Sequence, residues 1–193
     1  MSELPKVLII GDSISMQFHP FLERELAGRA RLAHNEGNAS DSGHLAENLE
    51  AYLAADADAK VIQFNCGLHD LRQERDGSPP RVSLQQYRQN LHRIAQRLKQ
   101  TGKGILWAST TPVIDERHAA VKPFDRHERD VQAYNAVAAE VMAAEGIPVN
   151  DLHAVIVQAG PETSLGRDGV HMTEPGSRAL AHAVAQAVGN LLA

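Results

Sequence analysis

Residues 7–13 read Val-Leu-Ile-Ile-Gly-Asp-Ser. Val7 to Ile10 is a compact, partly β-branched apolar run, and Gly11 ends it. A run that is apolar at every position, not at alternate ones, predicts a strand buried on both faces, as in a parallel sheet. Weaker or shorter runs follow at Arg31–His34, Val61–Phe64, Gly104–Ala108 and Ile147–Val149. Helical patterns lie between them. Residues 18–26 predict a short helix starting at Pro20. Leu45, Leu49 and Leu53 recur every four residues and predict a helix over 43–55. In 83–100, Leu84, Tyr87, Leu91, Ile94 and Leu98 share one helical face behind Ser83 as cap. An alanine-rich helix over 129–145 ends at Gly146, and a last helix runs from a Thr173 cap to Leu192. Strand–helix alternation predicts an α/β fold, a parallel sheet covered on both faces. The stretches 71–82, 112–128 and 154–170 read as long polar loops. With no internal repeat and no linker, residues 1–193 read as a single domain.

Composition narrows the function. The apolar fraction is 43% over 193 residues, enough for a core without staples, and the one cysteine, Cys66, rules out an internal disulfide. The net charge is −5 and no Lys/Arg run occurs, which argues against nucleic acid as partner. The start, MSELPKVLIIGDS, has no apolar segment of signal length, and Val7–Ile10 is far too short to span a bilayer. The expected compartment is the cytoplasm, with no membrane partner.

Ligands of open parallel α/β sheets bind beyond the carboxyl ends of the strands. Gly11-Asp12-Ser13, the segment Asn35–Ser40 and the segment Asn65–Asp70 all fall on that edge. A serine on the turn after the first strand is exposed to an incoming base and to nearby backbone N–H groups. Asp12, Ser13 or Ser15 serves equally as a helix cap. Asp168-Gly169-Val170-His171 stands directly before the last helix. There a histidine acts as base and then as acid, and an acid three residues earlier orients its ring. Asp151-Leu152-His153 and Gly67-Leu68-His69-Asp70 superficially match the ligand motifs of a metallophosphoesterase. In that class Asp-x-His belongs at the first strand, where this chain has a serine instead. Cys66 ends an apolar strand and reads as core. The charged stretches Gln73–Asp76 and Asp125–Asp130 read as solvated faces.

Taken in order, these blocks resemble the SGNH, or GDSL-type, hydrolase family over nearly the whole chain. Gly11-Asp12-Ser13 resembles its nucleophile block, and Asp168 to His171 its Asp-x-x-His block. Thr110-Thr111-Pro112 and Tyr134-Asn135 agree as minor features. Two blocks depart from the pattern. Asn35-Glu-Gly-Asn-Ala-Ser40-Asp41 puts Ser40 where the family has a glycine, with Gly37 as the alternative if the loop is shifted. In Gly67-Leu68-His69-Asp70, His69 stands where the family has an asparagine, and Asn65 is the other side chain able to supply an amide.

The resemblance implies a three-layer α/β/α sandwich. Its five-stranded parallel sheet has the flavodoxin-like order 2-1-3-4-5. The resemblance also implies a serine esterase: Ser13 the nucleophile, His171 the base, Asp168 its partner. Ser40 N–H and His69 form the oxyanion hole, and Asn65 and Asp70 are further candidates for substrate binding. Asp70 or a backbone carbonyl is expected to fix the second nitrogen of His69. No metal or organic cofactor is implied, and the partner is a small acyl ester. The polar edge, Asn35, Asn38, Asp41, His44, His69 and Asp70, favours a short acyl group such as acetyl on a carbohydrate. Lysophospholipases and thioesterases of the same family, and a non-catalytic flavodoxin-like binding module, are the alternatives.

Overall fold

The computed structural model describes residues 3–192; residues 1, 2 and 193, the ends of the expected domain, lie outside them. The chain runs β1 (Lys6–Ile10), α1 (Ser13–Glu25), β2 (Arg31–His34), α2 (Ser42–Ala55), β3 (Ala59–Phe64), β4 (Gln73–Glu74) and α3 (Leu84–Lys99). It continues through β5 (Gly104–Ala108), α4 (Asp115–Val121), β6 (Phe124–Asp125), α5 (Glu128–Glu145), β7 (Val149–Asn150), α6 (Leu152–Ala159), α7 (Pro161–Ser164) and α8 (Glu174–Leu192). The main sheet is parallel, in the order β2-β1-β3-β5-β7. Counting only its own strands, that is the expected 2-1-3-4-5. Helices cover both faces: α1 packs with α8 in one layer, and α3 lies between α2 and α5 in the other.

The uninterrupted apolar run of β1 has the burial of a central strand, Val7 to Ile10 each 1% exposed or less. Phe64 meets Trp107 edge-to-face beneath the sheet's ligand edge, ring centres 4.9 Å apart. Register places the strand ends level: Ile9 pairs with His34, Ile10 with Phe64, Phe64 with Trp107, and Ala108 with Asn150. The loops that follow therefore emerge along one edge.

Several boundaries differ from the sequence reading. α1 begins at Ser13, not near Pro20, because Asp12 caps it; Oδ1 accepts the Ile14 N–H at 2.9 Å. Pro20 lies inside that helix. Leu84 sits in the first turn of α3 and is exposed, while Tyr87, Leu91, Ile94 and Leu98 are buried as expected. The fifth strand is Val149–Asn150, shifted toward the loop expected to follow it. The stretch 154–170 is mostly helical. Asp151 caps α6 by accepting the Ala154 N–H at 3.1 Å, and Gly160 separates α6 from α7. The stretches 71–82 and 112–128 are joined by antiparallel pairing of β4 with β6, Gln73 to Asp125 and Glu74 to Phe124. Among the described residues no helix is long and apolar enough to cross a membrane.

Candidate active site

Because Asp12 takes the cap, Ser13 is the first residue of α1 and its hydroxyl is left for other work. Oγ lies 2.9 Å from His171 Nε2. At this helix position the backbone N–H has no intrahelical acceptor. Gly11 N–H donates to Asn35 Oδ1 at 2.8 Å, which ties the loop after β1 to the loop after β2. A Cβ on Gly11 would stand 2.6 Å from Ser15 Oγ, so the turn admits no side chain there without a shift.

The second half of the site comes from the segment between α7 and α8. Asp168 Oδ1 accepts the backbone N–H groups of His171 (2.9 Å) and Val170 (3.2 Å), folding the segment into a turn. Oδ2 accepts the His171 ring at Nδ1, 2.6 Å away. That bond assigns the ring proton to Nδ1 and leaves the Nε2 lone pair facing the Ser13 hydroxyl. Burial on its own raises the Asp168 pKa, but the His171 ring and the two N–H groups outweigh it and hold the carboxyl at about 2. Gly169 adopts φ +67°, and a Cβ there would sit 2.5 Å from the Ile114 carbonyl. Met172 N–H donates to Gln17 Oε1 at 2.9 Å, which docks the turn onto α1. The residues named from sequence, Ser13, Asp168 and His171, thus meet in one hydrogen-bonded line.

The loops after β2 and β3 are less simple. Ser40 has φ +56°, the left-handed conformation usually left to glycine. Its N–H already donates to Asn38 Oδ1 at 2.8 Å, so it serves an oxyanion only by sharing or exchanging that bond. Gly37 faces a different groove, with Asn38 and His44. His69 lines the same cavity as Ser13 and His171. Burial, with Arg126 and Arg81 nearby, lowers the His69 pKa against the pull of Asp12 and Asp41. A neutral ring offers one N–H donor.

Asn65 and Asp70 are corrections to the sequence reading. Asn65 turns its amide to the Ala108 carbonyl, 2.8 Å away, beside a small cavity lined by Ser15 and Ser109 but not by Ser13. Asp70 is fully buried and does not hold His69; both its oxygens accept the Ser42 N–H, at 2.9 and 3.1 Å. No face of it is left for a substrate. Of the polar edge read from sequence, only His69 lines the Ser13 cavity; Asp41 caps α2 and Asn35 is spent on Gly11.

Two consequences for stability follow from these loops. Gly67 has φ +150°, and a Cβ there would lie 2.1 Å from Thr110 Oγ1. Gly67→Ala is expected to lower stability by about 2–4 kcal/mol in urea unfolding, combining backbone strain with overpacking. Desolvation raises the Asp70 pKa to about 7, more than the opposing hydrogen bonds from Ser42 lower it. The folded protein therefore binds this proton more tightly than the unfolded chain does. The contribution to stability is greatest below the ordinary carboxylate range and falls as pH rises through 7. Asp70→Asn keeps an acceptor for Ser42 and cannot ionise. It is expected to be more stable than the parent at pH 8 by about 1–3 kcal/mol, with the gap closing near pH 4, as read by urea unfolding at both pH values.

The cavity in front of Ser13 has a volume of about 180 Å³. Arg72, Lys122, Phe124 and Arg126, none singled out by the sequence, form its wall. Arg126 belongs to a stretch read as a solvated face, yet is 7% exposed. Other charged or titratable side chains of that region are occupied elsewhere: Arg117 pairs with Glu162, His118 is buried, and His127 pairs with Asp115. The β4–β6 pairing that carries Phe124 and Arg126 to Ser13 is two residues long per strand and has no periodic signal. The Asp-x-His pair is also occupied, Asp151 capping α6 and His153 meeting Glu128 at 2.7 Å.

Solved structures share this architecture. A lipase/acylhydrolase from Enterococcus faecalis aligns over 97% of this chain and 97% of its own, with TM-score 0.78 and 20% identity. The acetylxylan esterase Axe2 from Geobacillus stearothermophilus aligns over 96% and 94%, with TM-score 0.78 and 18% identity. A GDSL-like lipase from Bacteroides thetaiotaomicron aligns over 96% and 88%, with TM-score 0.74 and 16% identity. At these identities the likeness is one of fold. No curated protein matches the chain in sequence. The sequence pattern of one family does match, over residues 9–179, and by it the chain belongs to the GDSL-like lipase/acylhydrolase family.

Proposed function

We propose that the protein is a serine esterase that hydrolyses short acyl esters through a Ser13–His171–Asp168 triad and an acyl-enzyme. The observation that carries this is the unbroken line from Ser13 Oγ to His171 Nε2 (2.9 Å) and from His171 Nδ1 to Asp168 Oδ2 (2.6 Å). Ser13 Oγ attacks the ester carbonyl carbon while its proton passes to His171 Nε2. The negative charge on the carbonyl oxygen is held by the Ser13 N–H and the His69 ring, with Ser40 N–H joining when it leaves Asn38. His171 returns the proton to the departing alcohol, and the acyl group stays on Ser13. Water then attacks the acyl carbon, His171 takes its proton and hands it back to Ser13, and the acid leaves. Asp168, held at about 2, stays ionised throughout and stabilises the His171 cation.

The size of the cavity favours a small acyl group. A volume of about 180 Å³ is below the range of pockets that enclose drug-sized ligands. Acetyl fits such a space, and an alcohol as large as a sugar extends beyond it. A series of p-nitrophenyl esters tests this. kcat/KM is expected to be highest for acetate to butyrate and to fall by about tenfold or more by octanoate. A rate that climbs with chain length contradicts a short-acyl enzyme and favours a lipid or thioester substrate.

A further inference from the structure

Arg126 is a buried cation with no carboxylate in ion-pair contact among the described residues. It is 7% exposed, and its Nε–H donates to the Leu68 carbonyl at 2.6 Å. That is its one side-chain hydrogen bond among the described residues. The nearby acids are engaged elsewhere. Asp125 pairs with Arg75 at 2.8 Å, Glu128 meets His153 at 2.7 Å, and Glu74 pairs with Arg72 at 2.6 Å. Asp12 and Asp168 act on Arg126 only through space. Burial lowers its pKa to about 10, so it remains a cation at neutral pH. A guanidinium taken out of water with no carboxylate hydrogen-bonded to it is unfavourable, and an anion placed against it with good geometry offsets that cost.

The surroundings extend the pattern. Two guanidiniums lie over the Phe124 ring, that of Arg72 at 3.9 Å and that of Arg126 at 5.1 Å from the ring centre. Pairing of β4 with β6 holds this group in place. Lys122, on the same wall, has no ion-pair partner among the described residues. Arg72, Lys122 and Arg126 thus face the cavity of Ser13 and His171, with Glu74 the one carboxylate bound to any of them among the described residues.

We propose that the natural substrate is an anionic ester, whose carboxylate or phosphate is bound by Arg126 with Lys122 and Arg72 beside the scissile bond. This rests on the esterase reading and names the substrate class for it. The fork of a guanidinium suits either oxyanion. Arg126, Lys122 and Arg72 are specificity-determining residues in this account.

Matched ester pairs test it and locate the charge. p-Nitrophenyl hydrogen succinate against p-nitrophenyl butyrate puts the charge on the acyl side. 4-Acetoxybenzoate and 4-acetoxyphenyl phosphate against methyl 4-acetoxybenzoate put it on the alcohol side. With rates corrected for hydroxide hydrolysis, at least one anionic ester is expected to exceed its neutral partner in kcat/KM by about 10–100-fold, the range of a charge-assisted hydrogen bond. Added KCl lowers that preference. In Arg126→Met the anionic-to-neutral ratio is expected to collapse toward one, whatever happens to the absolute rates. Should that variant not fold, Lys122→Met is expected to lower the same ratio severalfold. Parent protein that hydrolyses both members of every pair equally, or a ratio indifferent to Arg126→Met, or to Lys122→Met and salt together, overturns the anion site and leaves the esterase reading intact. Parent protein that hydrolyses none of the esters and takes no organophosphorus label on Ser13 overturns the esterase reading itself.

Discussion

Ser13→Ala is expected to lower kcat on p-nitrophenyl acetate by about 10⁴–10⁶, with the fold unchanged by circular dichroism. The hydroxyl sits at the start of α1, where Asp12 already supplies the cap, so its loss leaves the helix start intact. His171→Ala is expected to fall as far, because the two act as one unit and removing either disables both. The Ser13→Ala/His171→Ala double variant is then barely worse than either single variant. Asp168→Ala loses less chemistry directly, but it also frees the backbone N–H groups of Val170 and His171 that shape the turn. Its kcat is expected to fall by about 10²–10⁴. Additive losses in the double variant would mean that Ser13 and His171 work separately, against the line of hydrogen bonds that joins them.

The second large effect belongs to His69. Asn65 is bound to the Ala108 carbonyl and Asp70 to Ser42, which leaves His69 as the side-chain donor of the β3 loop that faces the Ser13 cavity. His69→Ala is expected to lose about 10²–10³ in kcat with little change in KM, the signature of a bond made in the transition state. His69→Asn restores an amide donor and should keep most of the activity. Asn65→Ala should cost much less in rate than His69→Ala. The opposite ranking, with Asn65→Ala crippling and His69→Ala nearly silent, would show that the loop rearranges to bring Asn65 to the oxyanion.

The sequence carried the fold well because its signal was local. Val7–Ile10 announces a central strand by being apolar throughout, and Ser83 and Gly146 mark helix ends by chemistry confined to a few residues. The hydrogen-bonded line proposed as the triad was legible for the same reason. Asp168 reaches His171 within one turn of chain, and Ser13 follows the first strand directly. Helices α6 and α7 were missed because a broken helical stretch of eight and four residues offers little periodicity. The wall of the site was illegible for a different reason. Arg126 occurs in Asp-Arg-His-Glu-Arg-Asp, which reads as solvent-facing charge, and only the pairing of two distant loops buries it beside Phe124. Asn65 and Asp70 look like site residues in sequence because they flank His69. Backbone geometry turns one to Ala108 and the other to Ser42, and nothing local in the sequence distinguishes those directions.

The most direct test is labelling of the parent protein with a fluorophosphonate, read by intact mass and peptide mapping. A single phosphonyl adduct on Ser13 is expected, absent in Ser13→Ala and strongly slowed in His171→Ala. An adduct on another residue, or ester hydrolysis by a protein that takes no label at Ser13, would contradict the account.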